Sequence, residues 1–215
     1  MRYIWINPVA RAMYGYEAIR RALKQKEYEC IDAEADWGGI VREKYRKLVQ
    51  ETGEAAASGT GWGVTPATVV DARCPKAYQM VKHAFEGPEL VFGDIHPILI
   101  HIAIELSETP RYAGAEKIIT TPCASLADEG NALRLQDTRF IPWNQFREAL
   151  GLQLPVEAIE ASPIPPGYFA GLPGRIDSIS EEHRIWNYFR RGDDRGASLV
   201  EMLFCKDGCH NGDGV

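Results

Sequence analysis

Three apolar runs constrain what this chain can fold into. They are Ala67-Thr-Val-Val-Asp-Ala-Arg-Cys74-Pro75, Lys117-Ile-Ile-Thr-Thr-Pro-Cys123-Ala124-Ser125 and Ser198-Leu-Val-Glu-Met-Leu-Phe-Cys205-Lys-Asp-Gly208-Cys209. Each reads as a buried strand, and each ends in a cysteine followed by a breaker or small residues. Between them, Lys76 to Phe85, His96 to Leu106, Trp143 to Leu150 and Ile176 to Arg190 read as helices. Strands alternating with helices predict an α/β protein on mainly parallel sheets with flanking helices. In such sheets ligands gather outside the carboxyl ends of the strands. Three strands are therefore expected to deliver four thiols, Cys74, Cys123, Cys205 and Cys209, to one edge.

The segment before these runs repeats the pattern. Tyr3 to Ile6 is a short β-type run, and Tyr16 to Lys26 is rich in helix formers with Ala18, Ile19, Ala22 and Leu23 on one face. Tyr28 to Ile31 reads as a second strand, followed by an amphipathic helix from Ile40 to Glu51. Gly53 to Pro66 lacks apolar periodicity and reads as a surface loop. Its Gly59-Thr-Gly-Trp-Gly63 run has alternate glycines but follows no convincing strand, so a dinucleotide-binding loop is not expected there.

Composition narrows the function classes. The 215 residues carry 24 Lys and Arg against 30 Asp and Glu, a net charge of −6, so no basic excess attracts a phosphate backbone and nucleic acid is not an expected partner. The start of the chain offers four apolar residues in a row before Asn7 and Pro8, too few for a signal peptide. The apolar stretch Ile95 to Leu106 is interrupted by His96, Pro97, His101 and Glu105, and falls short of the roughly 20 residues a membrane span needs. A cytoplasmic location is expected, with no membrane partner. In that reducing compartment thiols are more often free, metal-bound or catalytic than bridged.

The spacing of the cysteines leaves three readings open. Four converging thiolates suit iron in a cluster or zinc, and helix N-termini after Cys74 and Cys123 would offset the negative charge. Structural zinc sites use two tight knuckles; here Cys205 and Cys209 form the single local pair, which favours a cluster over zinc. Buried thiols acting as small hydrophobes are the third reading. Cys30 has no breaker behind it and reads as a core thiol. The histidines at 83, 96, 101, 183 and 210 have no metal-ligand pairing and read as helix-face or surface residues; His210 beside Cys209 reads first as a solvated loop histidine, with a hydrogen bond to a cluster sulfur or proton transfer as the second reading.

Around these cysteines the sequence resembles the catalytic domain of the iron-only hydrogenases. The family's first signature, Thr-Ser-Cys-Cys-Pro-x-Trp, is similar to Asp71-Ala-Arg73-Cys74-Pro75-Lys-Ala77. The second, Met-Pro-Cys-x-x-Lys-x-x-Glu, is similar to Thr121-Pro-Cys123-Ala-Ser-Leu126-Ala-Asp-Glu129. The third, Glu-x-Met-x-Cys-x-x-Gly-Cys-x-x-Gly-Gly-Gly, resembles Glu201-Met-Leu203-Phe-Cys205-Lys-Asp-Gly-Cys209-His-Asn-Gly212-Asp-Gly214. Weaker similarity covers Ile6 to Arg11 and Tyr168 to Gly174.

The resemblance implies that Cys74, Cys123, Cys205 and Cys209 bind a 4Fe-4S cubane, with Cys209 bridging to a two-iron subcluster. It implies two α/β lobes, over 1–95 and 96–215, with the cluster at their junction, and a redox partner protein. Several positions depart from the family pattern. Arg73 stands where the family's proton-relaying cysteine lies, and arginine does not give up a proton near neutral pH. Leu126 replaces a lysine that hydrogen-bonds a cyanide ligand, and Leu203 replaces a methionine. The stretch Ala35 to Glu43 lacks the paired glutamates of the family's proton path. The expectation is an iron-sulfur protein with a redox, electron-transfer or sensing role and impaired hydrogen turnover. The alternatives are a divergent hydrogenase or hydrogen sensor that keeps the two-iron unit, and a zinc or metal-free interaction domain.

Overall fold

The computed structural model describes residues 2–58 and 67–215. The Gly59 to Gly63 run lies outside the described residues. The chain forms two compact units. One comprises Met1–Asp36, Leu99–Pro165 and Gly208–Val215; the other comprises Trp37–Ile98 and Pro166–Asp207. The division expected from the sequence, at 95/96, is corrected: the chain leaves the first unit after its second strand and returns later, so each unit is assembled from separate stretches.

In the first unit the strands β1 (Arg2–Trp5), β2 (Tyr28–Cys30), β5 (Glu116–Thr121) and β6 (Thr138–Pro142) form a parallel sheet in the order β2-β1-β5-β6. Its helices are α1 (Pro8–Tyr14), α2 (Tyr16–Gln25), α5 (Ile98–Glu108), α6 (Ala124–Ala132) and α7 (Trp143–Ala149). The two-residue period of a strand sorts side chains to the two faces. Tyr3, Trp5 and Ile119 join a core with α5 and α6, and Ile4, Ile6 and Ile118 join another with α2 and α7. Asn7 turns the chain from β1 into α1: its Oδ1 accepts the Ala10 N–H at 2.9 Å, and its side-chain amide donates to Thr120 Oγ1 at 3.2 Å.

The second unit repeats the plan. Strands β3 (Thr68–Val70), β4 (Leu90–Phe92), β7 (Ile176–Ser180) and β8 (Leu199–Leu203) form a parallel sheet in the order β4-β3-β8-β7. Helices α4 (Pro75–Phe85) and α8 (Glu182–Arg191) pack on Val70, Val200 and Met202. The opposite face, with Val69 and Leu199, is covered by α3 (Trp37–Ala57) and by Phe169 and Leu172 from an irregular segment.

Two parallel α/β sheets with helices on both faces bear out the expected fold class. Among the described residues no helix is long and apolar enough to cross a membrane. Three element readings are corrected. Ile176 to Ser180 is a strand rather than the start of a helix: it pairs in parallel along β8, from Ile176 with Leu199 to Ser180 with Leu203, and sends Ile176 and Ile179 into the cores on its two faces. The expected Gly53 to Pro66 loop is corrected at its start, since α3 continues through Gly53 to Ala57, and residues 59–66 lie outside the described residues. The expected helix over His96 to Leu106 runs from Ile98, because Pro97 cannot enter its interior.

Candidate metal centre

In the first sheet the chain winds outward in opposite directions from its two central strands, from β1 to β2 and from β5 to β6. A topological switch of this kind leaves a crevice at the carboxyl ends of the strands. In the second unit, Cys74 lies just past the end of β3 and Cys205 just past the end of β8, its hydrogen-bonded neighbour. In the first unit Cys123 lies just past β5, and the terminal stretch carrying Cys209 is laid against the same end. The four predicted ligands thus fall two to a unit.

Cys74 occupies the N-cap position of α4, with Pro75 at the first helical position. Its Sγ accepts the Phe204 N–H at 3.4 Å, the residue directly before Cys205. Burial pushes its thiol up, against the pull of the backbone N–H groups of Phe204, Ala77 and Lys76. Those donors are arranged for a thiolate.

Beneath Cys74 lies a buried ionic triad. Arg73 Nη2 is 2.9 Å from Asp71 Oδ2 and 2.6 Å from Glu201 Oε1; the Arg73 side chain is 6% exposed and both carboxylates 0%. The guanidinium also stacks 4.1 Å from the Tyr168 ring centre and 4.4 Å from that of Phe169. Glu201 further accepts the N–H groups of Gly167 at 2.8 Å and Tyr168 at 3.1 Å. Two carboxylates face one guanidinium in a dry site. Burial accordingly pushes the Asp71 carboxyl above its ordinary value in spite of Arg73. The Arg73 guanidinium, penalised by its own burial, is held above its usual range by Asp71 and Glu201. Arg73 is therefore a permanent cation that ties the ends of β3 and β8 to the turn at 167–169. At the position where the resemblance sets a proton relay, this chain has an electrostatic staple.

In the first unit Cys123 is the N-cap residue of α6. The Ala124 N–H at that helix start donates to Asp213 Oδ1 at 2.9 Å, and the Gly214 N–H donates to Pro122 O at 3.1 Å. A Cβ on Gly214 would stand 2.8 Å from the Cys123 nitrogen, so only glycine allows this approach. Cys209 opens a short 3-10 turn to Asn211 after Gly208, whose φ of 121° suits glycine. The adjacent His210 buries its Nδ1 without a hydrogen-bond partner among the described residues.

The chain matches no known family model and no curated protein. Among the described residues, no three His, Cys, Asp or Glu side chains are gathered as a group that could hold a metal ion. Leu126 is buried and Glu129 half-buried, its carboxyl pushed up by burial. Cys30 packs against the core of the first unit, where burial raises its thiol to about 11.

Sequence reasoning assigned no role to Asp71, Glu201, Tyr168 or Asp213. A signal for the first two was present: a carboxylate inside a buried apolar strand, in Val-Val-Asp71 and Leu-Val-Glu201, calls for a counter-charge. Asp213 lies far from α6 in sequence, so no local pattern marks it as the group that takes the helix's first N–H.

Proposed function

We propose that the protein is an iron-sulfur protein of redox function, in which Cys74 and Cys205 of one unit and Cys123 and Cys209 of the other are the ligands of a 4Fe-4S cluster. The observation that carries the reading is the placement of Cys74 and Cys205 at the carboxyl ends of the paired strands β3 and β8, with Cys74 Sγ already receiving the Phe204 N–H. Such a cluster supplies one-electron chemistry, its potential set by hydrogen bonds to the sulfurs and by exposure.

Two features beside the thiols support that group. Cys74 has backbone donors for an anionic sulfur, and His210 has a buried ring nitrogen that lacks an acceptor. Arg73, fixed between Asp71 and Glu201, holds its protons and stacks over aromatic rings, so it does not deliver a proton. Buried Leu126 offers no hydrogen bond. These features support electron transfer or redox sensing with a partner protein over hydrogen turnover.

The test is anaerobic purification and reconstitution, with iron, sulfide and zinc analysis and paramagnetic resonance. The expected result is about four irons and four sulfides per chain, lost in Cys74→Ser and in Cys205→Ser while Cys30→Ser loads normally. Stoichiometric zinc without iron, or loading indifferent to Cys74, overturns the reading. Carbonyl and cyanide infrared bands after maturation would mean that a two-iron unit is kept.

A further inference from the structure

The first unit carries a second feature, remote from the cysteine pairs in sequence. An open groove of about 830 Å³ runs between α2 and β2, lined by Arg2, Arg20, Arg21 and Lys24 together with Glu17, Glu27, Glu29, Tyr28 and Cys30. The strand β2 is the last of its sheet, so its outer backbone edge is unpaired among the described residues. Its inner edge is identified by the Ile31 N–H, which donates to Ile4 O at 2.9 Å. In a parallel ladder alternate residues turn the same way, so Glu29 and Ile31 face β1 while Tyr28 and Cys30 turn their N–H and C=O groups to the open side.

The charges around the groove are not balanced. Glu17 holds Arg20 at 3.0 Å and Glu29 reaches Arg111 at 3.5 Å. Arg21 and Lys24 form no ion pair among the described residues, and both are exposed. Cys30 brings no charge, since its thiol titrates only at about 11. Four cations and three carboxylates line the groove, and with Glu17 and Glu29 engaged by Arg20 and Arg111, Glu27 alone stands against Arg2, Arg21 and Lys24, so an excess of positive charge lies beside an open strand edge on a chain whose net charge is −6.

The spacing of the cations suits an extended ligand. Arg20 and Lys24, one helical turn apart, are separated by about 6 Å along α2. Alternate side chains of a strand recur at about 6.8 Å. From this geometry we infer that the groove binds an acidic protein segment in extended form, added to the sheet beside β2, with carboxylates at alternate positions meeting Arg20, Arg21 and Lys24. Main-chain bonds from Tyr28 and Cys30 supply the pairing, and the cations select for acidic side chains. The inference does not depend on the cluster. Short strands flanked by charge also serve to keep sheet edges from pairing at all, and the two roles give opposite results in a binding experiment.

The experiment is fluorescence anisotropy with the full chain and a labelled peptide, Thr-Glu-Val-Glu-Val-Glu-Thr. Saturable binding is expected, about tenfold or more tighter than for the Thr-Lys-Val-Lys-Val-Lys-Thr peptide. The double variant Arg21→Glu with Lys24→Glu, both on the exposed face of α2, should weaken it by about tenfold or more with an unchanged circular dichroism spectrum. A peptide N-methylated at alternate residues should lose binding, because it cannot pair with the strand edge. Equal binding of acidic and basic peptides, no saturation of the acidic one, retained binding of the N-methylated peptide, or preference for a single-stranded oligonucleotide each overturns the inference.

Discussion

Replacing Arg73 by methionine tests the electrostatic staple directly. The guanidinium stands 2.9 Å from Asp71 and 2.6 Å from Glu201, and both carboxylates are fully buried. Removing one partner of a buried pair costs about 3–5 kcal/mol, because the other is left as an uncompensated charge. Here one truncation strips both carboxylates. Glu201 keeps the N–H groups of Gly167 and Tyr168, whereas Asp71 keeps from this network the main-chain N–H of residue 73. Asp71 is therefore the group that must change state. Its carboxyl is already raised by burial, and without Arg73 it rises further. A carboxyl whose folded value is raised contributes stability that is complete below its unfolded value, about 3.9, and is lost as pH rises through the folded value. The deficit of Arg73→Met relative to the parent should thus be greatest at pH 8 and narrow toward pH 5. Urea denaturation followed by circular dichroism at the two pH values measures it. Adding Asp71→Asn to Arg73→Met should recover about 1–3 kcal/mol at pH 8. A loss below about 1 kcal/mol, or a loss equal at both pH values, would refute the reasoning.

Two further outcomes follow from other contacts. Gly130→Ala would set a Cβ 2.3 Å from the Phe140 ring, buried at the junction of α6 and β6, and should cost about 1–3 kcal/mol in denaturant unfolding; a neutral result would mean that the ring turns aside freely. Because burial raises the Cys30 thiol to about 11, its alkylation by iodoacetamide, followed by peptide mass spectrometry, should accelerate about tenfold for each pH unit between 8 and 10. A rate that levels off by pH 9 contradicts that protonation state.

The fold was legible where a strand holds adjacent apolar residues and runs to five or six residues. Glu116–Thr121 and Leu199–Leu203 are of this kind, and strand, following turn and cysteine all read correctly. Thr138–Pro142 and Leu90–Phe92 went unread: the first has Arg139 on an exposed position at the sheet edge, and the second is three residues long. Ile176–Ser180 merged with α8 because two apolar residues among polar ones do not separate a strand from the helix that follows. The interleaving of the units was beyond local pattern. It depends on which strand hydrogen-bonds to which, and Arg2–Trp5 pairs with Glu116–Thr121 across more than half the chain.

The same interleaving alters what the cysteine spacing means. Cys205 and Cys209 are the one close pair in the sequence, and closeness invites a reading as a metal knuckle, in which a single turn presents both sulfurs. The chain passes from one unit to the other between Asp207 and Gly208. Cys205 therefore belongs to the end of β8, next to Phe204 and its bond to Cys74, while Cys209 belongs to the terminal stretch whose Asp213 and Gly214 engage Ala124 and Pro122 beside Cys123. The associations within units are 74 with 205 and 123 with 209, each joining residues far apart in sequence. A knuckle would form from its own local turn, whereas these pairs exist only once each sheet has been assembled. Ligation in this protein, if the thiols act as proposed, is a consequence of the completed fold, so variants that loosen either sheet, such as Arg73→Met or Gly130→Ala, should lower cluster retention without touching a cysteine.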